Sequence, residues 1–136
     1  MGSEERRARL ADLMGRYLDC ARAGDWERAF GFMSDEIVLH VPGRSAFAGE
    51  VRGMDAVRRY LEAAIAHAQE SKVEVELVEM LVGDERVALI VKERFPRPEG
   101  AVEIRRANVY RVRDERIDEV WIFEANQYEV DELFAG

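Results

Sequence analysis

Polar and apolar residues alternate along the last third of the chain. Within 101–112, one phase of the alternation contains Ile104, Arg106, Asn108, Tyr110 and Val112. Such period-two alternation is typical of a half-buried β-strand. After a turn at 113–116, residues 117–124 are apolar on both faces, which predicts a strand in the interior of a sheet. The polar residues on the inward phase of the first strand favour a sheet that wraps round a pocket.

Apolar residues at three- and four-residue spacing predict helices before these strands. The first helix covers 10–21 and ends at Gly24. Asp25 caps a short second helix, which extends to Met33. The polar residues at 34–35 are expected to end that second helix.

Two more helices are predicted further along the chain. One covers 54–68, with Gly53 as its cap. The other follows the last strand, because Asn126 and Glu129 have the spacing of a capping box and apolar residues follow at helical spacing.

Three further β-strands are predicted. Residues 36–41 form the first run, which ends at the turn signal Pro42-Gly43, and 43–53 is expected to be a loop or a short hairpin. The other two cover 72–82 and 87–95, and a phase slip in the former indicates a β-bulge. The elements together predict an α+β fold, in which helices cover a strongly curved, mostly antiparallel sheet.

Length and charge narrow the class of protein. The 136 residues, 48% of them hydrophobic, predict a single domain over 1–136 with one core. A net charge of -8 argues against nucleic acid and against an anionic membrane surface as partners, because both require clustered Lys and Arg. Residues 1–9 include five charged residues and no apolar run, so we expect neither a signal peptide nor a transmembrane span.

The few cysteines and histidines limit metal and redox chemistry. Cys20 is the single cysteine, so no internal disulfide forms and a reducing, cytoplasmic location is expected. His40 and His67 do not have the close spacing of metal ligands, and His67 is expected to face solvent. The sequence therefore predicts neither a metal nor another cofactor.

Five segments resemble the SnoaL-like branch of the nuclear-transport-factor-2-like superfamily. They are LMGRY at 13–17, AGDW at 23–26, VLHVPGRS at 38–45, GEVRG at 49–53 and RIDEVW at 116–121. The resemblance extends over nearly the whole chain. It implies a cone-shaped α+β barrel of the cystatin-like type, whose open end holds a small hydrophobic ligand, and a homodimer.

The superfamily includes ketosteroid isomerases, and this resemblance implies catalytic residues. Tyr17 corresponds to an oxyanion-hole tyrosine, and Asn108 to the second oxyanion donor. His40 lies on or beside the position of the general base, and a neutral imidazole with an ordinary pKa of about 6.5 suits proton transfer near neutral pH. The expected substrate-binding residues are Tyr110, Glu124, Arg106, Val120 and Ile122.

Each of these residues also has a structural interpretation. His40 is out of phase with its apolar neighbours, so the pattern allows either a surface or a pocket position. Tyr17 lies on the apolar stripe of its helix and is equally suited to core packing. Asn108 needs hydrogen-bond partners if it is buried, and these can be a ligand or an internal network. Arg106 and Glu124 can form an ion pair that is structural or one that binds a ligand.

Two functions follow from the resemblance. The first is a cofactor-independent isomerase or cyclase, in which His40 removes a proton next to a carbonyl of a small apolar polyketide- or terpenoid-like substrate. The alternative is a non-catalytic module that binds a small hydrophobic ligand. In both cases Trp121 and Phe123 are expected on the sheet face away from the pocket, where a second subunit covers them.

Overall fold

Six strands form one curved sheet in the computed structural model, which describes residues 2–44 and 48–133. The strands are β1 (Met33–Val41), β2 (Gly49–Arg52), β3 (Glu74–Val82), β4 (Arg86–Phe95), β5 (Val102–Arg113) and β6 (Arg116–Glu124). Their order in the sheet is β2-β1-β6-β5-β4-β3, and only the pair of β1 with β6 is parallel. The predicted mostly antiparallel α+β fold is therefore confirmed, and β6 lies in the sheet interior as expected.

Four helices accompany the sheet. They are α1 (Ser3–Arg22), α2 (Trp26–Phe30), α3 (Met54–Glu70) and α4 (Gln127–Leu133). The buried stripe of α1 packs against one face of the sheet, where Tyr17 meets Tyr110 of β5 with ring centroids 5.9 Å apart. We call this helix-covered face the inner face and the opposite one the outer face.

The second helix is shorter than its apolar spacing predicts. It ends at Phe30, and Met33 with the two residues after it belongs to β1. The prediction was wrong because β1 forms a parallel pair with a distant strand: Met33 lies opposite Ile117, and the Ile117 amide donates to the Phe32 carbonyl at 2.8 Å. Such tertiary pairing overrides local helical spacing.

The local signals elsewhere are confirmed. The register of β3 with β4 shifts between Leu77 and Glu79, which is the predicted bulge. The Glu129 amide donates to the Asn126 side chain at 3.2 Å, as in a capping box. Residues 43–53 include a short hairpin, since β2 pairs with β1, although 45–47 lie outside the described residues and so do 134–136.

Strand register decides which side chains face the helices. On β5 the inner face carries Arg106, Asn108 and Tyr110, and these lie opposite Glu124, Ile122 and Val120 of β6. On β4 the inner phase is apolar from Val87 to Phe95 except for Glu93. The inner face is therefore an apolar surface with a short row of polar side chains across its middle strands.

Within residues 2–44 and 48–133, no helix has both the length and the apolar character of a transmembrane span.

Candidate functional site

An arginine between two glutamates forms the centre of the polar row. Arg106 Nη1 lies 2.9 Å from Glu93 Oε1, and Arg106 Nε lies 3.2 Å from Glu124 Oε1. The side chains of Arg106 and Glu93 are each 15% exposed, and that of Glu124 is 4% exposed. Solvent therefore screens these charges little. The sequence predicted Arg106 and Glu124 here but not Glu93.

Only one oxygen of the Glu124 carboxylate, Oε1, takes part in this ion pair. Its Oε2 atom is buried and has no hydrogen-bond partner among the described residues. Burial raises the pKa of Glu124 above its ordinary value, Arg106 opposes the rise, and the charges of Glu93 and Asp131 add to it. A buried carboxylate with a raised pKa and an oxygen that has no hydrogen-bond partner is suited to accept or donate a proton.

A cavity of about 230 Å³ adjoins this carboxylate. Glu93, Arg106, Glu124, Tyr60 and His67 contribute its polar groups. Its apolar wall is formed by Val41, Pro42, Ala64, Ile65, Ala68, Val75, Phe95, Ile122 and Val130. Apolar walls with a few convergent polar groups are characteristic of small-molecule sites.

Two cavity residues differ from their sequence interpretation or were missed by it. His67, expected to face solvent, is half-buried and lies on the cavity wall, because the last turns of α3 cover the sheet. Tyr60 was not predicted. It lies so close to the ion pairs that the charges of Arg106, Glu124 and Glu93 all act on its pKa, while burial raises that pKa and keeps the hydroxyl protonated at neutral pH.

Tyr17, Tyr110 and Asn108 form a second polar group deeper under α1. Burial raises the pKa of Tyr110 to about 12, and side-chain hydrogen bonds with Asn108 and Tyr17 oppose the rise. The pKa of Tyr17 lies well above its ordinary value, mainly because of burial. The two donors that the family resemblance assigns to an oxyanion are thus engaged with Tyr110. Val120, predicted to bind substrate, is buried in the core beside them.

His40 lies on the outer face, contrary to its predicted place in the pocket. Its Nε2 is 2.5 Å from Glu119 Oε2, its Nδ1 is 3.6 Å from Glu50 Oε2, and its ring stacks on Trp121. The reason is strand phase: Leu39 takes the inward position opposite Val120, so the next residue points outward. His40 is therefore not in reach of the cavity.

A larger groove lies elsewhere on the surface. It measures about 960 Å³ and runs between α1 and the turn from β5 to β6. Its charged side chains are solvent-exposed and partly paired, for example Arg16 with Asp12 at 2.9 Å. Because water screens such charges, the smaller cavity with its buried carboxylates is the better candidate for chemistry.

No group of three acidic, histidine or cysteine side chains in the described part of the chain has the arrangement of a metal site.

Comparison with known proteins identifies the family. The family model of the SnoaL-like domain matches residues 14–120, which is most of the chain. The protein therefore belongs to the SnoaL-like family, and similar solved structures include NTF2-like proteins from Burkholderia species. The comparison with curated proteins finds no match.

Three solved structures illustrate the similarity of fold. A protein of unknown function with a cystatin-like fold from Xanthomonas campestris is 20% identical, with a TM-score of 0.80 over 93% of this chain and 98% of that one. TerC, co-crystallised with polyporic acid, is 14% identical, with a TM-score of 0.72 over 93% and 98%. RV0760c from Mycobacterium tuberculosis, in complex with estradiol-17beta-hemisuccinate, is 21% identical, with a TM-score of 0.65 over 82% and 90%. At such identities the similarity shows the fold alone.

Proposed function

We propose that the protein binds a small apolar carbonyl compound in the cavity beside Glu124 and isomerises or cyclises it without a cofactor. The observation that carries the proposal is the Oε2 atom of Glu124, buried and without a partner among the described residues, beside a cavity with mostly apolar walls. Glu124 takes the role of base that the sequence assigned to His40. One protein of similar fold was co-crystallised with polyporic acid and another is in complex with estradiol-17beta-hemisuccinate, which supports a small-molecule ligand.

The proposed step is proton removal next to the carbonyl. Glu124 Oε2 takes the proton, the C–H bond breaks, and its electron pair moves to the carbonyl oxygen as an enolate. In a ketone with a C=C bond next to the deprotonated carbon, the enolate extends over that bond, and return of the proton from Glu124 to the far carbon re-forms the carbonyl and completes an isomerisation. Tyr60 is the candidate donor to the enolate oxygen, because it lines the same cavity and its raised pKa keeps the hydroxyl protonated.

The ion pair sets the base strength in this mechanism. Without Arg106, burial and the neighbouring Glu93 would favour the protonated form of Glu124. With Arg106 between them, Glu124 can ionise, while burial still keeps its pKa raised. A pKa raised toward neutral improves a carboxylate as a base in water.

Deuterium exchange tests the proposal without knowledge of the natural substrate. The probe is β-tetralone, a two-ring apolar ketone with an acidic C–H next to its carbonyl. In deuterium oxide the protein should bind the ketone and accelerate loss of that proton, measured by NMR. Binding without accelerated exchange would leave only a binding module, and absence of binding would contradict both functions.

The binding module is the second candidate, and one observation favours it. Tyr17 and Asn108 both hydrogen-bond to Tyr110 within the protein, so the donors expected at an oxyanion are already used. In that case the buried ion pairs serve to shape the cavity.

The proposal includes a homodimer formed through the outer face. Phe123 is 56% exposed there, and one cross-sheet row of that face contains Leu81, Ala88, Val109 and Trp121. Arg111 and Glu119 lie beside this row and pair at 3.0 Å. An apolar surface flanked by charges of both signs suits a two-fold contact with a second copy.

Sedimentation tests this assembly. Phe123→Lys should weaken the dimer by at least about tenfold, because a charge would be buried in the contact. Tyr128→Lys is the matched control, since Tyr128 lies on α4 and is 88% exposed. A parent protein that sediments as a 15.6 kDa monomer at micromolar concentration would reject the homodimer.

A single domain and a cytoplasmic location also belong to the proposal. The free thiol of Cys20 supports a reducing compartment.

A further inference from the structure

The cavity beside Glu124 is lined by more negative charge than positive charge. Glu93 and Glu124 share a single guanidinium, that of Arg106, through ion pairs of 2.9 and 3.2 Å. Arg106 is the one Arg or Lys among the described residues that line the cavity, and His67 is charged only when it is protonated. When both glutamates are ionised, their negative charge therefore exceeds the positive charge of Arg106.

A third carboxylate adds to this excess. Asp131 lies close enough for its charge to act on Glu124. Its Oδ1 atom accepts hydrogen bonds from the Arg44 backbone amide and from the Gln127 side chain, each at 3.0 Å, and both donors are neutral. An excess of one charge in a poorly solvated site is unfavourable unless a counter-charge binds or a carboxyl group takes up a proton.

The Glu124 side chain connects this charge to the cavity. It is only 4% exposed, it belongs to the cavity wall, and its Oε2 atom has no hydrogen-bond partner among the described residues. A cation inside the cavity does not have to touch Oε2, because attraction between charges acts over several ångströms where little water screens it.

The rest of the cavity wall indicates what kind of cation fits. Most of the wall is apolar, which suits the hydrocarbon part of an organic molecule. A hydrated inorganic cation would need several oxygen ligands, and the described wall supplies two carboxylates that are already engaged with Arg106. The combination of apolar walls and excess negative charge therefore favours an organic cation.

We propose that the cavity binds a protonated amine on an apolar ring system, whose ammonium group compensates the negative charge that Arg106 leaves over. This inference rests on the proposed function for the place of the ligand, the cavity beside Glu124. It adds apolar amines to the ligand class and excludes carboxylates. An amine without a carbonyl group would occupy the cavity as an inhibitor of the proposed reaction.

Three tetralin derivatives with the same ring position substituted test the inference. β-Aminotetralin is cationic at neutral pH, β-tetralone is neutral, and tetralin β-carboxylate is anionic. By calorimetry the parent protein should bind the amine about tenfold more tightly than the ketone, and the carboxylate at least about a hundredfold more weakly than the amine. The amine should also inhibit deuterium exchange of β-tetralone competitively, since both ligands occupy one cavity.

Two glutamine variants locate the charge that attracts the amine. Glu124→Gln should weaken binding of the amine about tenfold and leave the affinity for the ketone within about twofold. Glu119→Gln removes the same charge from the outer face, where Glu119 pairs with His40 and Arg111, and should change neither affinity by more than about twofold. This control accounts for the general attraction of a protein with a net charge of -8 for amines.

NMR titration of the Glu124 carboxyl carbon gives a readout in the parent protein. The amine should lower the midpoint, since a nearby cation favours the ionised carboxylate, whereas the ketone should raise it. An amine that binds no more tightly than the ketone would overturn the inference, and so would equal weakening by Glu119→Gln or a midpoint that the amine does not lower.

The same measurements separate this inference from the proposed reaction. If β-tetralone binds and exchanges but the amine has no advantage, this inference fails while the proposed function stands. If the amine binds as expected and exchange is not accelerated, the inference stands and the proposed reaction fails. If none of the three tetralin derivatives binds, both fail.

Discussion

Glu124→Gln should slow deuterium exchange of β-tetralone by about a hundredfold to ten-thousandfold, the usual contribution of a general base. The amide has nearly the same shape as the carboxyl and can still accept from Arg106 through its carbonyl oxygen. It cannot take up a proton from carbon. The affinity for the ketone should therefore change little, and the loss should appear in kcat, measured by NMR under saturating ketone.

The matched control for this loss is His40→Ala. His40 is on the outer face, paired with Glu119 and stacked on Trp121, so its removal should leave the exchange rate within about twofold of the parent. A Glu124→Gln protein that exchanges like the parent would contradict the role of Glu124. If His40→Ala lost the exchange activity but still bound the ketone, the base would be His40, as the sequence predicted.

Arg106→Met should lower the free energy of unfolding by about 3–5 kcal/mol at neutral pH, as expected when one member of a buried ion-pair group is removed. Methionine occupies similar space without the charge, so Glu93 and Glu124 would be left as two uncompensated buried carboxylates. Urea unfolding followed by circular dichroism measures the loss.

The pH dependence of this loss separates charge from packing. In the variant the pKa of Glu124 in the folded state should lie further above its value in the unfolded state, because Arg106 no longer opposes the effect of burial. A carboxyl whose folded pKa is raised destabilises the fold at neutral pH; this cost declines as the pH falls below the folded pKa and ends below the unfolded pKa, so the deficit should shrink from neutral toward about pH 4.5. Arg105→Met, on the exposed neighbouring position, should cost less than about 0.5 kcal/mol. A deficit that is independent of pH would mean that lost packing, not charge, is the cause.

Most of the fold follows from local pattern. The alternation within β5, the capping box before α4 and the phase slip in β3 are each properties of neighbouring residues, and each is confirmed. The end of α2 depends instead on Ile117, which is far away in sequence. Ile117 pairs with Met33, so Met33 belongs to a strand and not to the helix. Local helical spacing contains no information about such a partner.

The site was only partly predictable for a related reason. The sequence shows that His40 and Leu39 occupy opposite phases, but the choice of inward phase depends on the pairing of β1 with β6. For Glu93 a local signal exists, because a charged residue interrupts the otherwise apolar inward phase of β4. An isolated charge on an apolar phase, opposite a strand that carries Arg106, is therefore a useful indication of a buried ion pair.

NMR titration of the isotope-labelled Glu124 carboxyl carbon, assigned by its loss in Glu124→Gln, tests the central claim most directly. With the protein alone, the carboxyl should titrate above the ordinary glutamate value, because burial raises its pKa and Arg106 only partly opposes the rise. Addition of β-tetralone should shift the signal and raise the midpoint further, since the ketone displaces water from the cavity beside Glu124 and so lowers the polarity near its carboxyl group. A midpoint at or below the ordinary value, unchanged by the ketone, would contradict a desolvated base in a ligand cavity.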